Sequence, residues 1–177
     1  CDRKNKEAIM FQRFYPDRVL PSTYDINFEK LYQDGMRGLI FDIDNTLVPH
    51  GAPADARAKE LFARLKKIGF SCCLLSNNSE CRVNLFNKDI CVHAIFNAHK
   101  PSRRNYIKAM ELMGTNLKNT VFIGDQLFTD VYGAKRTGMA NILVRPIHPK
   151  EEIQIVLKRH LEKAVLHFYE KDRRNKM

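Results

Sequence analysis

From Arg37 onward, short apolar runs of β type alternate with stretches whose apolar residues recur at helical spacing, and this alternation constrains the fold most. The runs are "RGLIFDI", "FSCCLLSNN", "HAIFNA", "NTVFIGD" and "NILVRPI". Between them lie a helix over about residues 55–67, carrying Ala58, Leu61, Phe62 and Leu65 on one face, and a second that opens at the capping residue Ser79. A third helix has Pro101 near its first turn and Gly114 at its end, and "FTDVYGAKRTG" is a short fourth closed by Gly138. Parallel strands need crossover connections, so this order predicts a three-layer, Rossmann-like α/β fold with helices on both faces of a parallel sheet. The last segment, from "PKEEIQ" to the end, reads as a helix running into a charged tail, and the chain through Gln33 as irregular structure with one or two short helices. The expected organisation is an N-terminal segment, 1–36, packed on a core domain, 37–177.

At 177 residues the chain suffices for one full core and not for two. A net charge of +10 predicts attraction to polyanions without choosing among nucleic acid, anionic membrane and phosphorylated ligand. No apolar run approaches the roughly 20 residues of a membrane-spanning helix, and the first ten residues carry no secretory pattern. The expected location is cytoplasmic, at most peripheral on the inner face of the membrane. Five cysteines, with Cys72 and Cys73 adjacent in an apolar run, make a poor disulfide framework and read as mostly buried, reduced thiols. Cys81, Cys91 and His93 fit no zinc spacing.

The exits of the runs carry the chemistry. "FDIDNTLV" ends an apolar strand in Asp42 and, two residues on, Asp44, so both side chains face one spot. "FIGDQLFTD" repeats the device with Asp125 and Asp130, "LLSNN" supplies Ser76 and Asn77, and "HKPS" supplies Lys100. Ligands of open parallel sheets bind at the carboxyl ends of strands, where these groups converge. Clustered carboxylates cost free energy unless a cation joins them, and magnesium is the usual partner beside a phosphate. Taken singly, each group has an ordinary structural reading: a solvated turn, a helix cap for Asp130, surface charge for Lys100. Four strand exits with compatible chemistry form a phosphate-handling inventory.

The ordered set "FDIDNTLV", "LLSNN", "KPS" and "GDQLFTD" resembles the haloacid dehalogenase superfamily over about residues 37–145, and "DIDNT" resembles its capless subclass, IIIA. The narrower resemblance is to the YqeG-like and phosphatidylglycerophosphate phosphatase family. The wider superfamily more often has Gly where Asn45 stands.

The resemblance implies a magnesium-dependent phosphatase in which Asp42 is the nucleophile and becomes an aspartyl phosphate. Asp44 would then be the acid that protonates the leaving alkoxide and later the base for water. Mutual repulsion of the two acids would help Asp44 keep a proton. Asp42, Asp125 and the backbone carbonyl of Asp44 would hold the metal. Lys100 and Ser76 would bind and neutralise the phosphoryl group, Asp130 would orient Lys100 or a metal-bound water, and Asn77, Asn45 and Thr46 would support the loop or the substrate. Superfamily ATPases carry Thr at the position of Asp44, so the second Asp favours a phosphatase.

The segments Asp42 to Ser76 and Asn77 to Lys100 are too short for the cap domains by which the superfamily selects substrates. An open site suits a phosphate on something large: a lipid at an anionic membrane surface, a nucleic-acid end or a protein. The last segment places Ile153, Leu157, Leu161, Val165 and Phe168 on one helical stripe among basic residues, which serves either a membrane surface or, with more weight, the cover of the sheet. The resulting expectation is a phosphatase of phosphatidylglycerophosphate; the alternatives are a nucleic-acid end or phosphoprotein phosphatase and a non-catalytic basic adaptor.

Overall fold

The computed structural model describes residues 11–148 and 153–174, with the final helix described by its backbone alone up to residue 161. Six strands form one parallel sheet: β1 Arg18–Leu20, β2 Gly38–Phe41, β3 Ser71–Leu75, β4 His93–Ile95, β5 Thr120–Gly124 and β6 Ala140–Val144. Their spatial order is β1-β6-β5-β2-β3-β4. Every residue of β2 and β5 is buried, because helices cover both faces, and this is why "GLIF" and "TVFIG" are continuous apolar runs rather than alternating ones.

From β2 the chain winds outward through β3 and β4, then returns to lay β5 on the other side of β2 and continues to β6. The order therefore reverses between β2 and β5, the place where open sheets of this kind leave a crevice at their carboxyl ends.

The crossovers are α1 Phe28–Gln33, α2 Ala56–Ile68, α3 Glu80–Asn87, α4 Arg103–Met113 and α5 Tyr132–Thr137, followed by α6 Ile153–Arg174. Asp55 caps α2 by accepting from the Ala58 amide at 2.7 Å, and Gly114 ends α4 at a φ of 67°. One face of the sheet buries a cluster containing Phe28, Phe41, Phe62 and Phe86, and the other a cluster with Ile40, Leu75, Tyr106 and Phe122. No cap domain is inserted among the described residues. Residues 127–131 form a single π-helical turn, Leu127–Val131, that leads into α5.

The sheet holds one strand more than the sequence pattern shows. The three residues "RVL" of β1 pair in parallel with β6 at the edge and are too short to display a period. The N-terminal segment is thus part of the sheet and of the core: Phe28 is fully buried and lies edge-on to Phe70 at 6.4 Å. It also braces a loop beyond β2, where Thr23 Oγ1 donates to the Thr46 carbonyl at 2.8 Å and the Tyr24 hydroxyl to that of Leu47 at 2.7 Å.

At the other end, α6 buries Glu162, Val165 and Tyr169, with Val165 packed beside Leu127, Val131 and Leu143. The covering role is therefore the one observed, on a face rotated from the expected stripe: Phe168 stays 38 % exposed and stacks on Phe11, while the side chains of Ile153, Leu157 and Leu161 lie outside the described residues. Among the described residues no helix is long and apolar enough to cross a membrane. Cys72 and Cys73 are buried, and burial pushes both thiols up to about 12, but Cys81 and Cys91 are exposed, so only half of these four thiols follow the expected burial. Cys1 lies outside the described residues.

If the N-terminal segment is integral, Phe28→Ala will destabilise the chain by about 3–5 kcal/mol in urea unfolding, as emptying a fully buried aromatic site does. A change below about 1 kcal/mol would show the segment to be a detachable appendage.

Candidate active site

Asp42 follows β2 directly, and its amide continues the ladder by donating to the Ile123 carbonyl of β5 at 3.0 Å. Asp125 follows β5, Ser76 follows β3, and Lys100 comes five residues beyond β4. The crevice between β2 and β5 thus receives groups from four strand exits. Asp42, Asp44, Ser76, Lys100, Asp125 and Asp130 are all buried there.

Lys100 occupies the centre. Its Nζ lies 2.7 Å from Asp42 Oδ1 and 2.7 Å from Asp130 Oδ1, and 5.5 Å above the ring of Phe122. Burial alone would lower its ammonium; the charges of Asp130 and Asp42 overcome that and hold it protonated.

Asp130 is fixed from behind, its Oδ2 accepting from the amides of Asp125 at 3.2 Å and Gln126 at 3.0 Å. That return requires Gly124, since a Cβ there would collide with the Asp130 carboxylate. The Tyr106 hydroxyl supports the same turn from below through the Thr129 carbonyl at 2.9 Å.

Asp42 carries the electrostatic cost. Burial pushes its carboxyl from 3.8 up to about 6; Lys100 pulls it back, and Asp130 and Asp44 add to the rise. Asp44 is close enough to contribute, as the two-residue spacing implies, but its own surroundings differ. Its Oδ1 accepts from Arg82 Nη2 at 2.7 Å, Arg82 Nε at 3.2 Å and the Gly51 amide at 2.8 Å, and its Oδ2 from Asn78 Nδ2 at 2.6 Å. Burial thus bears on Asp42, while the Asp44 carboxylate is held by the donors of Arg82, Gly51 and Asn78.

The supporting residues divide by what they touch. Asn77 spends its amide on the Lys100 peptide, accepting from the Lys100 N–H at 2.6 Å and donating to its carbonyl at 3.3 Å, so it positions Lys100 rather than facing a substrate. Ser76 Oγ accepts from the Asn78 amide at 3.2 Å and Asn78 Nδ2 at 3.3 Å, which leaves its proton to donate. Thr46 Oγ1 donates to Asp125 Oδ1 at 3.3 Å. Asn45 sits at a φ of 61°, a left-handed backbone that Gly and Asn tolerate best.

Two contributors, Arg82 and Glu162, lie outside the motifs, and a third, Asn78, ends "LLSNN" with no role assigned to it from sequence. Arg82 and Asn78 hold Asp44, and Arg82 Nη1 is buried with no hydrogen-bond partner among the described residues. Glu162 of α6 accepts from the Leu127 amide at 2.7 Å, just beyond Asp125. For Arg82 a signal existed: it lies in the first turn of a helix that begins at a strand exit, three residues after the cap Ser79.

Carboxylate oxygens of Asp42, Asp125 and Asp130 lie within 4.8 Å of one another, all buried. This is more carboxylate charge than the single Lys100 ammonium balances, presented wholly through oxygen, and it fits a hard divalent cation. Two of the expected carboxylate ligands, Asp42 and Asp125, are in this cluster and Asp130 joins them, while the Asp44 side chain is turned to Arg82.

Comparison with known proteins agrees with this geometry. The family model described as HAD-hydrolase-like matches residues 97–153. The Bacillus subtilis protein named probable phosphatase YqeG is 35 % identical over 159 residues, covering 89 % of this chain and 92 % of that one. The chloroplastic and mitochondrial phosphatidylglycerophosphate phosphatase 1 of Arabidopsis thaliana is 25 % identical over 80 % of this chain and 44 % of its own length. A crystal structure of an HAD phosphatase from Thermococcus onnurineus superposes with a TM-score of 0.51 at 16 % identity, over 67 % of this chain and 90 % of that one, a likeness of fold. The chain belongs to the haloacid dehalogenase superfamily and, within it, to the family of the Bacillus subtilis protein.

The raised Asp42 carboxyl has a sign that can be tested. Folded, it keeps its proton to about pH 6, whereas unfolded it releases it near 3.8, so its contribution to stability is lost as pH rises through that window. Asp42→Asn, neutral at every pH, is expected to raise the melting temperature by a few degrees at pH 7.5 without metal and to narrow the gap at pH 4. A lower melting temperature at pH 7.5 would contradict the assignment.

Proposed function

We propose that the chain is a magnesium-dependent phosphomonoesterase working through an aspartyl phosphate, and that its substrate is phosphatidylglycerophosphate at the cytoplasmic face of an anionic membrane. The observation that carries the reading is Asp42 itself: a buried carboxylate at the sheet's reversal point, aimed by one ammonium and flanked by two further acids. Family membership supports phosphatase chemistry. The substrate is supported by the name of the plant relative, by the absence of a cap among the described residues and by the net charge of +10.

In this reading an Asp42 oxygen attacks phosphorus and the bond to the ester oxygen breaks. Asp44 gives its proton to that oxygen, so an alcohol leaves and Asp42 carries the phosphoryl group. Water then attacks the same phosphorus, Asp44 takes its proton, and inorganic phosphate departs with Asp42 restored. Dividing one displacement into two lowers each barrier.

Lys100 and the Ser76 hydroxyl meet charge that grows on the phosphoryl oxygens. Magnesium would be held by Asp42 and Asp125, and it would supply charge neutralisation at the phosphoryl group. Arg82 holds Asp44 in place, and its unpartnered Nη1 is a donor that a phosphoryl oxygen can satisfy. A dianionic substrate competing for Arg82 frees the Asp44 carboxyl to carry a proton.

The test is inorganic phosphate release from phosphatidylglycerophosphate in mixed micelles with magnesium. Asp42→Asn is expected to abolish it, by at least about a thousandfold, as loss of a covalent nucleophile does. Arg82→Ala should lower kcat about ten- to a hundredfold through misplacement of Asp44. Turnover that survives Asp42→Asn would refute the mechanism; release from small esters but not from this lipid would refute the substrate.

A further inference from the structure

Beside the catalytic crevice lies a cavity of about 610 Å³ that the chemistry above does not use, a size within the roughly 300–1,000 Å³ of small-ligand sites. Asp125 is part of its wall, so it opens from the carboxylate cluster itself. The rest of the wall is largely apolar, built from Leu127 and Leu143 on the sheet side and Leu166 and Tyr169 on α6.

Its geometry is set by hydrogen bonds to the catalytic loop. Glu162 ties α6 to the Leu127 amide at 2.7 Å, and the chain after β6 is tied to Asn45, whose carbonyl accepts from the Ile147 amide at 3.0 Å and whose Oδ1 accepts from the His148 amide at 3.3 Å. Arg145 precedes this tie by two residues and is itself anchored to β1, its amide donating to the Leu20 carbonyl at 3.3 Å.

The rim is cationic. Arg145, Lys163, Arg173 and Arg174 line the cavity and are exposed. Against them stands one exposed acid, Glu170; of the other two acids in the wall, Glu162 accepts from the Leu127 amide and Asp125 belongs to the carboxylate cluster. Arg173 is steadied by Tyr169, to whose hydroxyl it donates at 3.3 Å.

A small phosphate ester has no use for such a place. The apolar wall calls for methylenes and the rim for a second anion, and Asp125 joins this wall to the carboxylate cluster that contains Asp42. We propose that this cavity binds the non-reacting part of a phospholipid monoester, with its internal phosphodiester at Arg145 and Arg173 and its glycerol and first methylenes against Leu143, Leu166 and Tyr169. The proposal rests on the phosphatase reading and deepens its substrate: α6, with its basic last turn, becomes a wall of the lipid site.

The experiment compares phosphatidylglycerophosphate in nonionic mixed micelles with glycerol 3-phosphate, which presents the same ester bond without the diester or the chains. Leu166→Trp, filling the cavity, and the exposed double change Arg145→Glu with Arg173→Glu are each expected to lower the ratio of kcat/KM on lipid to that on the small ester by at least about tenfold. Ratios equal to the native value in both variants would overturn the proposal, as would a native chain that hydrolyses glycerol 3-phosphate and never the lipid, which leaves the phosphatase reading intact. Binding without turnover separates the two claims further. Sedimentation of Asp42→Asn with the lipid micelles should be weakened by the double charge reversal, and unaltered binding would overturn the cavity assignment whatever the turnover assay shows.

Discussion

The Lys100 ammonium, buried between Asp42 and Asp130 at 2.7 Å from each, is the interaction on which the rest of the site depends. Removing three charged groups from water carries a penalty that can exceed what a pair of ion contacts returns, so such a triad is poor evidence of stability. It persists because the surrounding structure over-determines it. Asn77 clamps the Lys100 peptide, Gly124 leaves room for Asp130 to fold back on its own loop, and Tyr106 holds the turn beneath. The cost stays visible in Asp42, whose carboxyl burial pushes up to about 6. A chain selected for stability alone would place an apolar side chain here.

Much of this was legible along the chain, for physical reasons that differ by element. Strands β2, β3 and β5 are covered on both faces and so announce themselves as apolar runs, and the polar residue ending each run marks where the sheet meets solvent. Helices α2, α3 and α4 carry caps or terminal glycines that follow local rules. What stayed hidden depends on contacts far apart in sequence. β1 is three residues long and becomes a strand only because β6 offers it an edge. The partner of Asp44 lies 38 residues away on α3, and Glu162 reaches the Asp125 loop across 35 residues. Spacing alone shows that the Asp42 and Asp44 carboxylates lie close together; the donors that hold Asp44, Arg82 and Asn78, come from residues remote in sequence.

The flanking segments, which carry no motif, shape the access to the site. Thr23 and Tyr24 brace the loop after Asp44 from one side, and Glu162 braces the loop after Asp125 from the other. Here the cover among the described residues is α6, which leaves a cavity with apolar walls and a cationic rim beside the crevice. In the proposed reading, substrate choice falls to the flanks and reaction chemistry to the sheet.

The central claim is that Asp42 carries the phosphoryl group, and the most direct measurement is a rapid acid quench of the working enzyme followed by peptide mapping. The account predicts an acid-stable, hydroxylamine-labile phosphoryl group on the peptide containing Asp42, formed and consumed at rates consistent with turnover. A substrate consumed at full rate with no phosphorylated Asp42 at any quench time, or with the label on another residue, would contradict it.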